Sequence, residues 1–176
     1  MSSGTSAAGS LHTKVLPEWE GRSWVTSSML NPAVIAVIIL AAADMYEEHS
    51  GEPLPLELIF LIVPMVLHRD TREALPTRID SYAAKWVGEH ASLQASFPSR
   101  ASGMVPYVRE GLRYGLRTKA LELLTDGRLR GVTRWKLTKD RDKELSVIIG
   151  KSAFLGRWFA HTGTPATLFT LFGVAP

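Results

Sequence analysis

The apolar positions follow helical periods along most of the chain, broken once by an alternating stretch. Residues 33–48 are apolar on nearly every side before turning acidic at Asp44, Glu47 and Glu48. A helix without a polar face is a buried, central one. Asn31 is a good N-cap, Pro32 suits the first helical position, and Ser50-Gly51 ends the helix. Pro53 and Pro55 open a second helix over 56–68, bent or ended by Pro64, which has no N–H to give. Asp70-Thr71-Arg72-Glu73 reads as an extra turn capped by Asp70 and stopped by Pro76. Asp80 caps a third helix over 81–89, with Tyr82, Trp86 and either Val87 or Leu93 facing inward.

A long helix is expected over 99–125, with Pro106 starting its regular part. Val108, Leu112, Gly115, Leu116, Leu121 and Leu124 approximate its apolar face. Arg109, Arg113 and Arg117 fall at i, i+4 and i+8 and share another. The period then changes. Over 129–137, Leu129, Thr133, Trp135 and Leu137 share one parity, while Arg128, Arg130, Arg134 and Lys136 share the other. This pattern is a half-buried strand or small hairpin, with Gly131 at a turn or bulge. A last large helix over 140–161 carries Leu145, Ile148, Ile149, Leu155 and Phe159 at core spacing, and Val147, Phe154 and Trp158 on a second stripe. Gly150 and Gly156 are expected to let another element approach it closely, and Gly163 follows its end. Thr164 and Pro165 start a short helix whose apolar side chains are Leu168, Phe169, Leu171 and Phe172. The expected architecture is mainly α with a small β-hairpin: a winged-helix-like single domain over residues 25–176 behind a flexible tail of residues 1–24.

Composition changes this picture little. The 176 residues are 45% apolar and 21% charged, ordinary for a globular domain. The absence of cysteine excludes disulfides, thiolate metal sites and thiol nucleophiles, and fits a reducing cytoplasm. The longest uncharged apolar run, 33–43, has 11 residues, where a membrane span needs about 20. The first ten residues have neither the basic nor the apolar region of a signal peptide.

Charge is distributed unevenly. Residues 1–99 carry 6 Lys and Arg against 11 Asp and Glu; residues 100–176 carry 14 against 6. Such a bias points to a polyanion or an acidic partner for the basic part. Arg109, Arg113, Arg117, Arg128, Arg130, Arg134 and Lys136 are the candidate contacts to DNA or an acidic partner. For any one of these arginines a solvated face is the simpler reading, so the case rests on their grouping. Little base-reading apparatus stands beside them, so binding would follow shape and salt. Phe154, Arg157 and Trp158 are the candidate protein interface, since Trp and Arg together are common anchors.

Catalytic signatures are absent. Gly150-Lys151-Ser152 ends like a phosphate-binding loop, but Leu145 stands where that loop needs glycine. His68-Arg69-Asp70 spells a kinase tripeptide without any of the other kinase parts. The five histidines form no two-His ligand pair, and no Gly-x-Ser-x-Gly elbow occurs. No enzyme activity, metal or cofactor is expected.

Several segments together resemble a known family. They are Leu30-Asn31-Pro32-Ala33, Pro53-Leu54-Pro55-Leu56-Glu57-Leu58, Thr71-Arg72-Glu73-Ala74-Leu75-Pro76, Val105-Pro106-Tyr107-Val108-Arg109-Glu110 and Asp126-Gly127-Arg128-Leu129, closed by Leu155-Gly156-Arg157-Trp158-Phe159 and Phe172-Gly173-Val174-Ala175-Pro176. In this order, over about residues 25–176, the chain is similar to the middle component of three-component ABC systems, which include the Lamassu type. The resemblance implies a small non-catalytic subunit. It would stand between an SMC-like or RecN-like ABC ATPase and an effector, often a nuclease, in bacterial defence against phages and plasmids. Double-stranded DNA would be met through the complex. The alternative is a stand-alone winged-helix DNA-binding regulator.

Overall fold

The apolar stretch after Asn31 is the centre of the molecule. In a computed structural model describing residues 21, 30–133 and 143–174, it forms α1 (Pro32–Ser50). The Asn31 side chain accepts from the Ala33 N–H at 2.8 Å, and Gly51 closes the helix in the left-handed conformation. Ile35, Ile38 and Ile39 are fully buried, each contributing roughly 1.5–3 kcal/mol through burial. The chain continues through β1 (Leu54–Pro55), a 3-10 turn (Leu56–Leu58), α2 (Ile59–Leu67), α3 (Arg69–Ala74), α4 (Ala83–Glu89) and α5 (Ala91–Arg117). It ends with β2 (Leu121–Leu123), β3 (Arg128–Gly131), α6 (Lys143–Thr162) and α7 (Pro165–Phe172). The architecture is mostly helical, with one antiparallel sheet in the order β1-β3-β2.

α1 packs most extensively against α6 and α5. Two glycines permit this. A Cβ at Gly156 of α6 would collide with the Ala42 carbonyl of α1, and one at Gly111 of α5 with the Ile35 side chain. Both pairs of helices therefore approach closer than any larger residue allows. Ser152 of α6 donates its hydroxyl to the Ile38 carbonyl at 2.5 Å, fastening the same pair. At the other end, Trp86, Phe97, Trp158, Phe159 and Phe172 form an aromatic cluster with centroid separations of 5.4–6.2 Å. Trp158 Nε1–H donates to the Ser81 carbonyl at 2.8 Å and Trp86 Nε1–H to Ala74 at 2.7 Å, so neither buried ring leaves a donor unpaired. Leu168, Phe169 and Phe172 of α7 close this end.

Several sequence expectations are corrected. The long helix runs from Ala91 to Arg117, not 99–125, and it contains both Pro98 and Pro106. Burial of Phe97 and Ala101 holds the turns before Pro106 in register, tertiary packing overriding local preference. Leu121-Glu122-Leu123 is strand β2: Lys119, at φ 58°, turns the chain out of the helix, and a short apolar–polar–apolar triplet fits either period. The hairpin therefore turns at Asp126-Gly127 rather than at Gly131. The cap of α3 is His68, whose Nδ1 accepts from the Thr71 N–H at 3.2 Å, instead of Asp70. Asp80 pairs with Arg78 at 2.6 Å and caps nothing; α4 begins after Tyr82, which is 81% exposed and not inward. Gly150 faces open space and Val147 is exposed, so only Gly156 of the two α6 glycines serves close approach. Pro64 lies inside α2, its carbonyl still accepting from His68 N–H at 3.3 Å. Of the strand expected over 129–137, β3 covers the residues to Gly131, and Val132 and Thr133 follow it outside the sheet; residues 134–137, the first residues of the last helix, and the N-terminal tail but for Gly21 lie outside the described residues.

Candidate functional site

The second half of α5 turns Val108, Gly111 and Gly115 inward, toward α1 and β2. Helical geometry then sets Arg109, Arg113 and Arg117 outward. All three are exposed, and none forms an ion pair with a described residue. Eight residues of helix separate the first from the last, about 12 Å along the axis. Tyr114, Thr118 and Lys119 are exposed beside them. These three are absent from the basic group expected from the sequence; their signal is position, on the outer arc or just past the helix end.

The strand arginines are differently placed. Leu129 is fully buried between Arg128 and Arg130, as alternation requires. Both guanidinium groups turn back on the chain. Arg128 pairs with Glu52 and reaches Asp126 at 3.7 Å, and Arg130 Nε donates to Glu47 at 3.0 Å. Glu47 near the end of α1 and Glu52 just beyond it thus neutralise the strand cations. The seven-residue basic group expected from the sequence divides accordingly: α5 holds an unpaired row, β3 holds a paired one, and Arg134 and Lys136 lie outside the described residues.

The expected protein interface is also corrected. Trp158 is 0% exposed, and Phe154 is buried beside it with ring centroids 6.1 Å apart. In this conformation neither is available to a partner, because both are packed into the core, Trp158 within the aromatic cluster and Phe154 against it. Arg157 alone is exposed.

Two apolar grooves flank α5. One, of about 440 Å³, is lined by Phe60, Pro98, Val105 and Phe169, with Glu57 and Arg109 at its rim. The other, of about 320 Å³, is lined by Leu30, Leu67, His68, Arg100 and Met104. Burial lowers the proton affinity of both ionisable groups in the second groove: His68 sits below its ordinary 6.5, helped by the nearby Arg100 charge, and Arg100 sits below its usual range. Arg100 donates to Thr71 Oγ1 at 3.2 Å and to the Leu93 carbonyl at 3.1 Å, while its Nε has no partner. Among the described residues no group of three His, Asp or Glu could hold a metal ion, and no helix is long and apolar enough to cross a membrane.

A family model described as ABC-three component (ABC-3C) system Middle Component 3 matches residues 19–176. The chain belongs to this family. No curated protein and no solved structure matches it. The segments from Leu30-Asn31-Pro32-Ala33 to Phe172-Gly173 therefore belong to a Middle Component 3 chain. Several of them are folding features of it: the α1 cap, the glycine that seats α6 on α1, and the caps of α7. Middle-component membership implies work alongside the other components of a three-component system.

Proposed function

We propose that this Middle Component 3 chain is a non-catalytic subunit coupling an SMC- or RecN-like ABC ATPase to an effector, a nuclease, in cytoplasmic defence against phages and plasmids. The observation that carries the reading is the family match over residues 19–176. Geometry is in keeping with the accessory role: the exposed chemistry of α5 is a row of cations on a helix packed against α1, a surface for contact rather than for catalysis. The helix–strand–helices–strand–strand order from α1 to β3, with the sheet ordered β1-β3-β2, supports a winged-helix-like reading. Asp126-Gly127 would then be the tip of the wing. Fold likeness of this kind does not itself assign a function.

The test is a plating assay on cells carrying the whole gene cluster, with and without this gene. The proposal expects protection against phage or plasmid to be lost on deletion and restored by the gene supplied in trans. Protection that persists without this chain would contradict it.

A further inference from the structure

We infer that the outward face of α5 and its C-terminal turn bind the phosphate backbone of double-stranded DNA. From residue 107 to 119, the exposed side chains are Arg109, Arg113, Tyr114, Arg117, Thr118 and Lys119. This patch holds four cations, a phenol and a hydroxyl. It presents no exposed carboxylate and no exposed aliphatic group. Guanidinium, ammonium and phenol groups are among the side chains that contact phosphates, whereas the Thr118 hydroxyl is already donated to the Tyr114 carbonyl at 2.9 Å.

Three further points favour duplex DNA. A protein interface has an apolar core with charge depleted there, whereas this patch is charged throughout, as protein–DNA interfaces are. A single strand is held by stacking platforms, and between residues 107 and 119 Tyr114 is the one exposed aromatic ring. The arginines are also ready to act. They have no described ion-pair partner to give up, whereas Arg128 and Arg130 would have to leave Glu52 and Glu47. Glu57 shares a groove rim with Arg109 without pairing to it, and Glu110 is half-buried between the outward positions. The helix is clamped by Gly111 on Ile35 and Gly115 on Leu121, so its cations are displayed from a fixed support. The division between the rows is visible only after folding, since composition counts all seven cations alike.

This inference goes beyond the subunit reading and fails separately from it. The experiment is fluorescence anisotropy of the full chain with a labelled mixed-sequence duplex across a salt series. Four phosphate contacts predict a loss of roughly a hundredfold in affinity between about 50 and 200 mM salt. R109Q/R113Q/R117Q is expected to lower affinity at low salt by at least about tenfold and to reduce the salt slope by about 2–3. R69Q/R78Q/K85Q removes three charges from exposed ion pairs elsewhere and should bind as the parent does. Circular dichroism checks folding, and single R113Q and R117Q variants, each lowering the slope by about 1, replace the triple if it is unfolded. The inference is overturned if the parent chain shows no salt-dependent binding. It is equally overturned if the two triple variants lose equal affinity, if the α5 triple loses none, or if the matching single strand binds more tightly than the duplex.

Discussion

A methyl group at position 156 would meet the Ala42 carbonyl, and backbone cannot step aside as a flexible side chain can. Gly156→Ala should therefore destabilise by about 1–3 kcal/mol, the ordinary range for overpacking. The same change at Gly150, on the same helix but facing open space, should stabilise by about 0.4–1 kcal/mol through helix propensity and a restricted unfolded chain. Urea midpoints at unchanged m-value separate the two, and equal effects would contradict the packing described here. Two glycines six residues apart in one helix look alike in sequence. The Leu-Gly-Arg-Trp-Phe segment did stand out, yet its parts have different roles. Trp158 is core, Gly156 is a contact surface, and only Arg157 faces out. Helical spacing marked one stripe of α6 as core and left the second open to either reading, and the burial of Phe154 and Trp158 on that second stripe comes from neighbours far away in the chain.

At the scale of elements, helices with local end signals were legible and those without were not. α1 and α7 begin and end where Asn31-Pro32, Gly51, Thr164-Pro165 and Gly173 dictate. α5 has no such punctuation, and its two prolines would each suggest a boundary. Its first half is helical because Phe97 and Ala101 are buried. β1 has two residues, too few for any period, and exists because Leu54 and Pro55 pair with Leu129 and Arg128. The His68 cap of α3 carries a prediction of its own. Only a neutral ring accepts the Thr71 N–H at Nδ1, and the folded protein lowers His68 below its ordinary 6.5. The unfolded state then binds the proton more readily. Stability from the cap is present above about pH 6.5 and lost as pH falls toward the lower folded value. His68→Asn keeps a capping oxygen that does not titrate there. The parent should lose more stability than this variant between neutral and mildly acidic pH in parallel urea titrations. Identical pH profiles would remove the cap from the account.

For the whole molecule, the charge asymmetry was plain in the sequence but its arrangement was not. Glu47 and Glu52, at and just past the end of α1, cancel basic residues of β3 across about 80 residues of chain, a separation of the kind only tertiary structure closes. Among the described residues, the cations without an ion pair are concentrated on α5 and the turn after it. The family could be suspected from ordered short segments and is established by the match over residues 19–176. The central claim is that this chain is one component of a larger assembly. The most direct measurement is affinity purification of the tagged chain, co-expressed with the proteins encoded beside it and identified by mass spectrometry. Stoichiometric recovery of an SMC-like or RecN-like ATPase and an effector is the expected result. Recovery of this chain alone, as a well-behaved dimer, would contradict the claim.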